Sequence, residues 1–175
     1  MSKPSRPSNP DHATGAARTF FVTTRTAGGR PLFQTTRMAE LLIDVLRAQV
    51  KLRRFTVHEF VIMPDHVHIL LTVPGEVSVE KAMQFIKGGF SLRAKRELDF
   101  SGEIWQRGFS DVRVLDEQSF EQHRAYVHNN PVKRGLAEAP EEYPFGTAYL
   151  KMRKRVGAKA PHREGAMDGT TEVVP

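Results

Sequence analysis

The sequence of 175 residues contains no cysteine. This absence excludes disulfide bonds, thiolate zinc sites and thiol nucleophiles. No uninterrupted apolar stretch approaches the roughly 20 residues that a membrane-spanning helix needs, so we expect no membrane association. The amino-terminal residues also lack the apolar segment of a secretory signal peptide. These features together predict a cytoplasmic protein.

The composition suits one folded domain between two tails. Hydrophobic residues make up 39% of the chain, enough for one core in a domain of ordinary size. Residues 1–17 are rich in Pro, Ser, Ala and Asn and are predicted to be disordered, residues 18–150 to form the domain, and residues 151–175 to be a basic, disordered tail. The chain carries 26 basic and 20 acidic residues, and this formal net charge of +6 favours contact with phosphates.

Two histidines separated by one residue lie within a mainly apolar segment, residues 60–73. Because side chains alternate between the two faces of a strand, His66 and His68 are expected on one face, and Val67 and Ile69 on the other. One face can then pack a core while the other binds a metal ion through two neutral imidazoles. Alternatively, the histidines line the solvated face of a half-exposed strand. The pair alone leaves both interpretations open.

The order of the patterned segments predicts an α+β protein with a ferredoxin-like βαββαβ sandwich. Apolar positions with a period of 3.6 residues predict two helices, the first capped by Thr35 or Thr36 and the second by Ser78. A tight turn at Pro64-Asp65 joins the second strand to the histidine strand, which is expected to be central in an antiparallel sheet. A short strand completes the sandwich, and an added C-terminal helix follows it. The first three strands are predicted at residues 18–26, 55–63 and 66–73.

That added helix, which Asp116 can cap, carries a second polar cluster. His123, Tyr126 and Asn130 are spaced three and four residues apart and so share one helix face. A tyrosine in this position, taken alone, is typical of a residue at the edge of a core.

The residue after this cluster is a proline, which predicts where the helix ends. Pro131 restricts the residue before it to extended backbone, so the helix is expected to end at Asn129 or Asn130. Gly135 then permits the chain to reverse.

Five segments follow one another in a recognisable order: Phe20–Arg25, Val61–Leu71, Met83–Ser91, Ile104–Asp111 and Tyr126–Leu136. In this combination the chain, from about Arg18 to Tyr149, resembles the REP-associated branch of the HUH single-tyrosine transposases. Two departures concern the expected contacts with DNA. Family members often carry a histidine where this chain has Val112, and the stretch Tyr143–Thr147 also differs from the family pattern.

The resemblance implies a DNA transposase and single-strand endonuclease, which cleaves and rejoins single-stranded or hairpin DNA, such as repetitive palindromic elements, through a 5′-phosphotyrosine intermediate. Tyr126 would be the nucleophile, while His66 and His68 would bind Mg²⁺ or Mn²⁺. Asn130 matches the family's third metal ligand, although a helix cap explains it equally well. The resemblance also implies a bacterial, nucleoid-associated protein that acts as a monomer or a homodimer.

Basic residues within or beside these segments are candidate DNA contacts. Some recur at helical spacing along the second helix, where a solvated helix face is an equally good explanation. Trp105 suits either base stacking or the core. The candidates are Lys87, Arg93, Lys95, Arg107, Lys133 and Arg134.

Three other functions compete with this interpretation. Histidine-triad nucleotide hydrolases need a third histidine where this chain has Leu70, which counts against them. A domesticated protein that binds hairpin DNA without cutting it would retain the fold, but the sequence keeps both histidines and Tyr126. An incidental histidine pair on a generic ferredoxin-like fold does not account for the tyrosine segment.

Overall fold

The computed structural model describes residues 15–159. The elements are β1 (Gly15–Arg25), α1 (Thr36–Lys51), β2 (Thr56–Ile62), β3 (His66–Gly75), α2 (Val79–Leu98), β4 (Ser110–Val114), α3 (Glu117–Lys133) and α4 (Thr147–Lys159). The four strands form one antiparallel sheet in the order β2-β3-β1-β4, which confirms the ferredoxin-like α+β fold and the central position of the histidine strand. None of the helices in this range is long and apolar enough to cross a membrane.

The caps predicted at Ser78 and Asp116 and the predicted turn are confirmed, whereas Thr35 precedes α1 without a side-chain cap bond. The Ser78 side chain accepts a hydrogen bond from the Lys81 backbone N–H at the start of α2. Asp116 accepts one from Ser119 at the start of α3. Both bonds satisfy backbone donors that a helix leaves unpaired at its first turn. The turn between β2 and β3 closes through a hydrogen bond of 2.8 Å that the Met63 N–H donates to the His66 carbonyl.

The main core lies between one face of the sheet and the helices α1 and α2. Alternate residues of β1 and β3 point into it, and the apolar positions of both helices meet them. Trp105 packs in this core and its indole N–H donates to the Lys87 carbonyl, so the core interpretation of this residue is confirmed. Its buried residues include Phe20, Val22, Phe33, Leu42, Leu46, Ile69, Leu71, Met83, Ile86 and Phe90.

The opposite face of the sheet, which carries His66 and His68 and is called here the histidine face, is covered by α3. Val127 of α3 packs with Val61, Met63 and Tyr143 in a second apolar cluster. Under this cover His66 is only 2% exposed and His68 only 5%. The solvated-face interpretation of the histidine pair is therefore wrong, because a helix distant in sequence buries that face.

The tyrosine helix runs past its proline, contrary to the prediction that it ends at Asn129 or Asn130. Pro131 lies inside α3, which ends at Lys133. A proline removes one helical hydrogen bond. Here Pro131 is buried, and its carbonyl accepts from Leu136, so packing and a bond at the helix end offset that loss. The predicted chain reversal at Gly135 is confirmed by its φ of 69°.

Both predicted tail boundaries need correction. Residues 15–17, expected to be disordered, belong to β1, and residues 151–159, expected to be part of a disordered tail, belong to α4. The side chain of Lys151 bonds to Glu59 and so attaches the first turn of α4 to β2. Sequence composition does not reveal such a long-range partner. The remaining predictions for the tails concern residues 1–14 and 160–175, which lie outside the described residues.

Candidate active site

The two histidines are held by partners that leave the same ring nitrogen of each available. The Nδ1–H of His66 donates to the Asp65 carboxylate at 2.6 Å, and Nδ1 of His68 shares a hydrogen bond of 2.7 Å with the Thr23 hydroxyl. The ring centroids are 4.8 Å apart. Because both rings use Nδ1 for these bonds, Nε2 remains to bind a ligand. A hydrogen bond at the opposite nitrogen is how metal-binding histidines are usually oriented.

Electrostatics keep both imidazoles neutral. Burial lowers the pKa of His68 to about 3, assisted by the charges of His66, Arg25 and Arg134. Burial also lowers the pKa of His66, and outweighs the opposing effect of Asp65. A neutral imidazole is the form that binds metal ions. The pair is therefore ready to coordinate a cation without first losing protons at neutral pH.

Tyr126 lies against the histidine pair of its own chain. Its ring meets that of His68 edge-on, with the centroids 5.2 Å apart, and contacts Phe21 in the same manner at 5.7 Å. The residue is 42% exposed. The ammonium group of Lys133 lies 5.4 Å from the ring centroid. A single chain thus brings together the predicted nucleophile, the histidine pair and a positive charge.

Asn130, one helical turn after Tyr126, carries an unpaired buried oxygen. The residue is 6% exposed, and within the described residues its Oδ1 has no hydrogen-bond partner. An unpaired buried polar atom costs about 1–3 kcal/mol, so a ligand for this oxygen is expected. Since Oδ1 bonds to no backbone group, the helix-cap explanation of Asn130 finds no support.

The available donors fit a hard divalent cation. Two imidazole nitrogens and an amide oxygen leave several positions of an octahedral Mg²⁺ or Mn²⁺ open to other oxygens. No group of three or more His, Cys, Asp or Glu side chains in residues 15–159 is placed to bind a metal ion. A metal site here would therefore depend on the Asn130 amide as well as His66 and His68.

A basic cleft of about 290 Å³ adjoins the histidine pair. Thr23, whose hydroxyl bonds to His68, forms part of its wall, and Arg25 and Arg107 contribute positive charge. The sequence alone did not indicate Arg25 as a site residue. It becomes recognisable only through the pairing of β1 with β3, which places it opposite His66. The remaining lining residues are Gln106, Gly108, Phe109 and Ser110.

The predicted basic residues fall into two groups. Arg107, Lys133 and Arg134 lie around the histidine face: Arg107 lines the cleft, Lys133 contacts Tyr126, and the charge of Arg134 acts on both histidines. By contrast, the other three predicted contacts belong to α2, which packs on the opposite face of the sheet. They are Lys87, Arg93 and Lys95.

Within the α2 group, two side chains are engaged by the protein itself. Lys87 donates to the carbonyls of Gln106 and Gly108, and burial lowers its pKa. Arg93 forms an ion pair with Glu97 on the same helix. Lys87 therefore orders the loop that lines the cleft, a contribution that the sequence analysis did not foresee.

Comparisons with known proteins identify the family of this chain. The model of the family described as transposase IS200-like matches residues 21–130, more than half of the chain. The chain belongs to the IS200-like transposases. The match spans β1, the histidine strand and Tyr126, and it confirms the resemblance noted from the sequence.

Two known transposases are similar to this chain, one in sequence and one in structure. The REP-associated tyrosine transposase of Escherichia coli (strain K12) is 25% identical over 130 residues, which cover 74% of this chain and 75% of that protein. The solved structure of a REP-associated tyrosine transposase bound to a REP hairpin superposes with a TM-score of 0.65 and 23% identity, covering 99% of this chain and 100% of the other. This second likeness shows a shared fold.

A buried carboxylate that the sequence analysis missed links three elements of this transposase domain. Glu59 on β2 has a side chain only 3% exposed. It accepts hydrogen bonds from His128 of α3 and from Thr147 and Lys151 of α4. Burial alone raises the pKa of Glu59, but the bonds from His128, Lys151 and Thr147 outweigh burial and lower it to about 2.

This shift predicts how stability responds to acid. A glutamate in the unfolded chain has a pKa near 4.5, against about 2 in the folded protein, so below about pH 4.5 the unfolded state binds the extra proton. The free energy of unfolding should therefore fall as the pH falls from about 4.5 towards 2. In Glu59→Gln, the free energy of unfolding measured with urea should depend less on pH across this range, because the variant lacks the carboxyl group that titrates.

Glu121→Gln is the matched control, since it removes an exposed carboxylate from α3. It should keep the wild-type response to acid. If the free energy of unfolding fell equally with pH in the wild type and in Glu59→Gln, the assignment of a strongly lowered pKa to Glu59 would be contradicted.

Proposed function

We propose that this protein cleaves and rejoins single-stranded or hairpin DNA in a metal-dependent reaction, with Tyr126 as the nucleophile and a 5′-phosphotyrosine intermediate. The observation that carries the proposal is the edge contact of Tyr126 with His68, one helical turn before the unpaired Asn130 oxygen. A hydroxyl nucleophile, two neutral imidazoles and an amide oxygen at one place are what phosphodiester cleavage by tyrosine requires. Membership of a transposase family supports the same conclusion.

Among the three tyrosines of the chain, Tyr126 alone combines access with the right surroundings. The hydroxyl of Tyr143 donates to the Ile62 carbonyl, and burial raises its pKa to about 12. Tyr149 lines a separate cavity between α1 and α4. Tyr126 is exposed enough for its oxygen to meet a DNA strand.

The side chains of the site divide the chemistry among them. Tyr126 attacks the scissile phosphorus, its oxygen bonds to the 5′-phosphate, and the 3′ oxygen leaves as a hydroxyl. His66, His68 and Asn130 would bind Mg²⁺ or Mn²⁺, which supplies Lewis-acid charge at the phosphate. Asp65 and Thr23 hold the two rings in orientation. The phosphotyrosine bond retains the energy of the phosphodiester, so a second 3′-hydroxyl can attack it and join strands without ATP.

The basic cleft is the proposed path for the strand next to the scissile phosphate. Arg25 and Arg107 supply charge for backbone phosphates, and Phe109 provides an aromatic surface for a base. Lys133 and Arg134 extend the positive surface along the end of α3. A structurally similar transposase is bound to a REP hairpin, which supports hairpin DNA as the substrate of this protein. Lys87, Arg93 and Lys95 remain predicted contacts for DNA farther from the site.

The first prediction tests the nucleophile. Tyr126→Phe keeps the ring and its contacts but removes the attacking oxygen. The covalent adduct with a hairpin oligonucleotide, which forms with Mn²⁺ and survives denaturant, should disappear. The variant should still fold, because a partly exposed hydroxyl contributes little to stability. Its affinity for the hairpin should therefore stay within about twofold of the wild type. Peptide mapping of the wild-type adduct by mass spectrometry should find the label on Tyr126.

Two controls make this result decisive. Tyr149→Phe should form the adduct at the wild-type rate. A label on Tyr143, Tyr149 or a serine would overturn the assignment, and hairpin binding without any adduct in the wild type would favour a domesticated binding protein.

The second prediction tests the metal ligands. His68→Asn and Asn130→Ala should each weaken Mn²⁺ binding, measured by calorimetry on protein freed of metal, by at least about tenfold, and adduct formation should fall in parallel. His123→Asn is the matched control, since His123 also contacts Phe21 but bonds to the Ser119 carbonyl. Unchanged Mn²⁺ affinity in folded His68→Asn and Asn130→Ala would contradict the proposed ligand set.

The third prediction locates the DNA path. Affinity for a single strand falls with salt with a logarithmic slope of about −0.7 for each phosphate neutralised. Arg107→Gln should reduce the magnitude of this slope by about 0.7, while Arg47→Gln, which alters an exposed ion pair on α1, should leave it unchanged. A slope that responds to Lys95→Gln but not to Arg107→Gln would move the contact to α2.

A further inference from the structure

The tyrosine helix is supported on both sides of its buried stripe. Val127, which is fully buried, faces the sheet at the centre of this stripe. Tyr126 lies on the flank towards β1, where it contacts Phe21 and His68, and His128 lies on the flank towards β2, where it bonds to Glu59. Side chains two residues apart point about 200° apart around a helix. Any roll of α3 that moves His128 away from Glu59 therefore also moves Tyr126 relative to His68.

A local irregularity of β2 aims Glu59 at this flank. The pairing of β2 with β3 shifts register between Val57 and Glu59, with His58 as the extra residue. A bulge of this kind re-aims the side chains around it and often lies beside a functional site. Two residues farther along the strand, Val61 pairs with His68. Glu59 and the histidine pair are thus held by one rigid ladder of backbone hydrogen bonds.

All three donors to Glu59 come from the helices that follow the sheet. Nε2 of His128 lies 2.9 Å from the carboxylate, and Thr147 and Lys151 reach it from the first turns of α4. The Thr147 hydroxyl also accepts a hydrogen bond from the Phe60 N–H. Hydrogen bonds to a charged group are stronger than those between neutral groups. Loss of one donor would leave the buried carboxylate charge of Glu59 only partly satisfied.

We propose that Glu59 is a positioning residue, whose bond to His128 fixes the rotation of α3 and thereby holds the Tyr126 oxygen in line with the reacting phosphate. The inference rests on the proposed function, since it assigns Glu59 a role in the reaction of Tyr126. Displacement of a reacting group by about 1 Å can reduce a rate by about a hundredfold. Glu59 itself, 3% exposed beneath α3 and α4, does not meet the DNA.

The test compares three variants. Glu59→Gln removes the charge but keeps the shape of the side chain, and His128→Gln removes the partner at a position that is 25% exposed, so that folding is expected to survive. Glu121→Gln is the matched control, because it breaks an exposed ion pair with Arg124 on the same helix. For each protein, the rate of adduct formation is measured at saturating hairpin DNA and Mn²⁺, together with hairpin affinity and the Tyr126 ring resonances in the free protein.

The positioning role predicts a split between rate and affinity. Glu59→Gln and His128→Gln should each lower the saturated rate at least tenfold, leave hairpin affinity within about twofold and shift the Tyr126 ring resonances. The double variant should be no slower than the slower single variant, since both changes remove one interaction. Glu121→Gln should match the wild type in all three measurements.

Other outcomes are equally informative. Wild-type rates and resonances in folded His128→Gln would overturn the positioning role, as would a loss of rate explained wholly by weaker DNA binding. If Glu59→Gln fails to fold, His128→Gln decides alone. A wild-type protein that forms no adduct would overturn the proposed function, and the Tyr126 resonances of the variants would then decide whether Glu59 sets the helix position.

Discussion

The packing of α3 on the histidine face is the interaction on which the rest of the site depends. Without this helix, the side chains of β3 that point away from the main core would face water. With Val127 packed against Val61 and Met63, the histidines are buried and burial becomes the leading cause of their lowered pKa values. The same contact brings Tyr126 to His68. One packing event thus keeps both imidazoles neutral and places Tyr126, the proposed nucleophile, beside them.

One buried polar atom of the site is left unpaired, at some cost in stability. A core designed only to fold would pair every buried polar atom, since each unpaired one costs about 1–3 kcal/mol. Around the histidine pair, Asp65 and Thr23 satisfy one nitrogen of each ring, but the Asn130 oxygen has no partner among the described residues. The neighbouring carboxylate of Glu59 is, in contrast, fully engaged by three donors. Among the described residues, buried atoms of Arg18 and Thr24 also lack partners, but the Asn130 oxygen is the one that follows Tyr126 by one helical turn.

The two faces of the sheet differ in polarity and in packing. The face towards α1 and α2 is apolar and close-packed, which keeps β1 and β3 rigid beneath the site. The histidine face carries the polar groups, and the cleft opens at the edge where β4 begins. Lys87 connects the two sides, because it extends from α2 to the loop that lines the cleft. A rigid scaffold beneath a polar face is how a protein holds reactive groups in place.

The sequence alone determined what depends on neighbours along the chain. Alternation around His66 and His68, helical periods and the caps at Ser78 and Asp116 are local, and they predicted the element order and the fold. Local rules failed where distant contacts outweighed them, at Pro131 inside α3 and in the first turns of α4. The partnership of Glu59 with His128 and the position of Arg25 in the cleft were decided only by the tertiary structure. They depend on strand register and on helix packing between residues far apart in the chain, which no local pattern encodes.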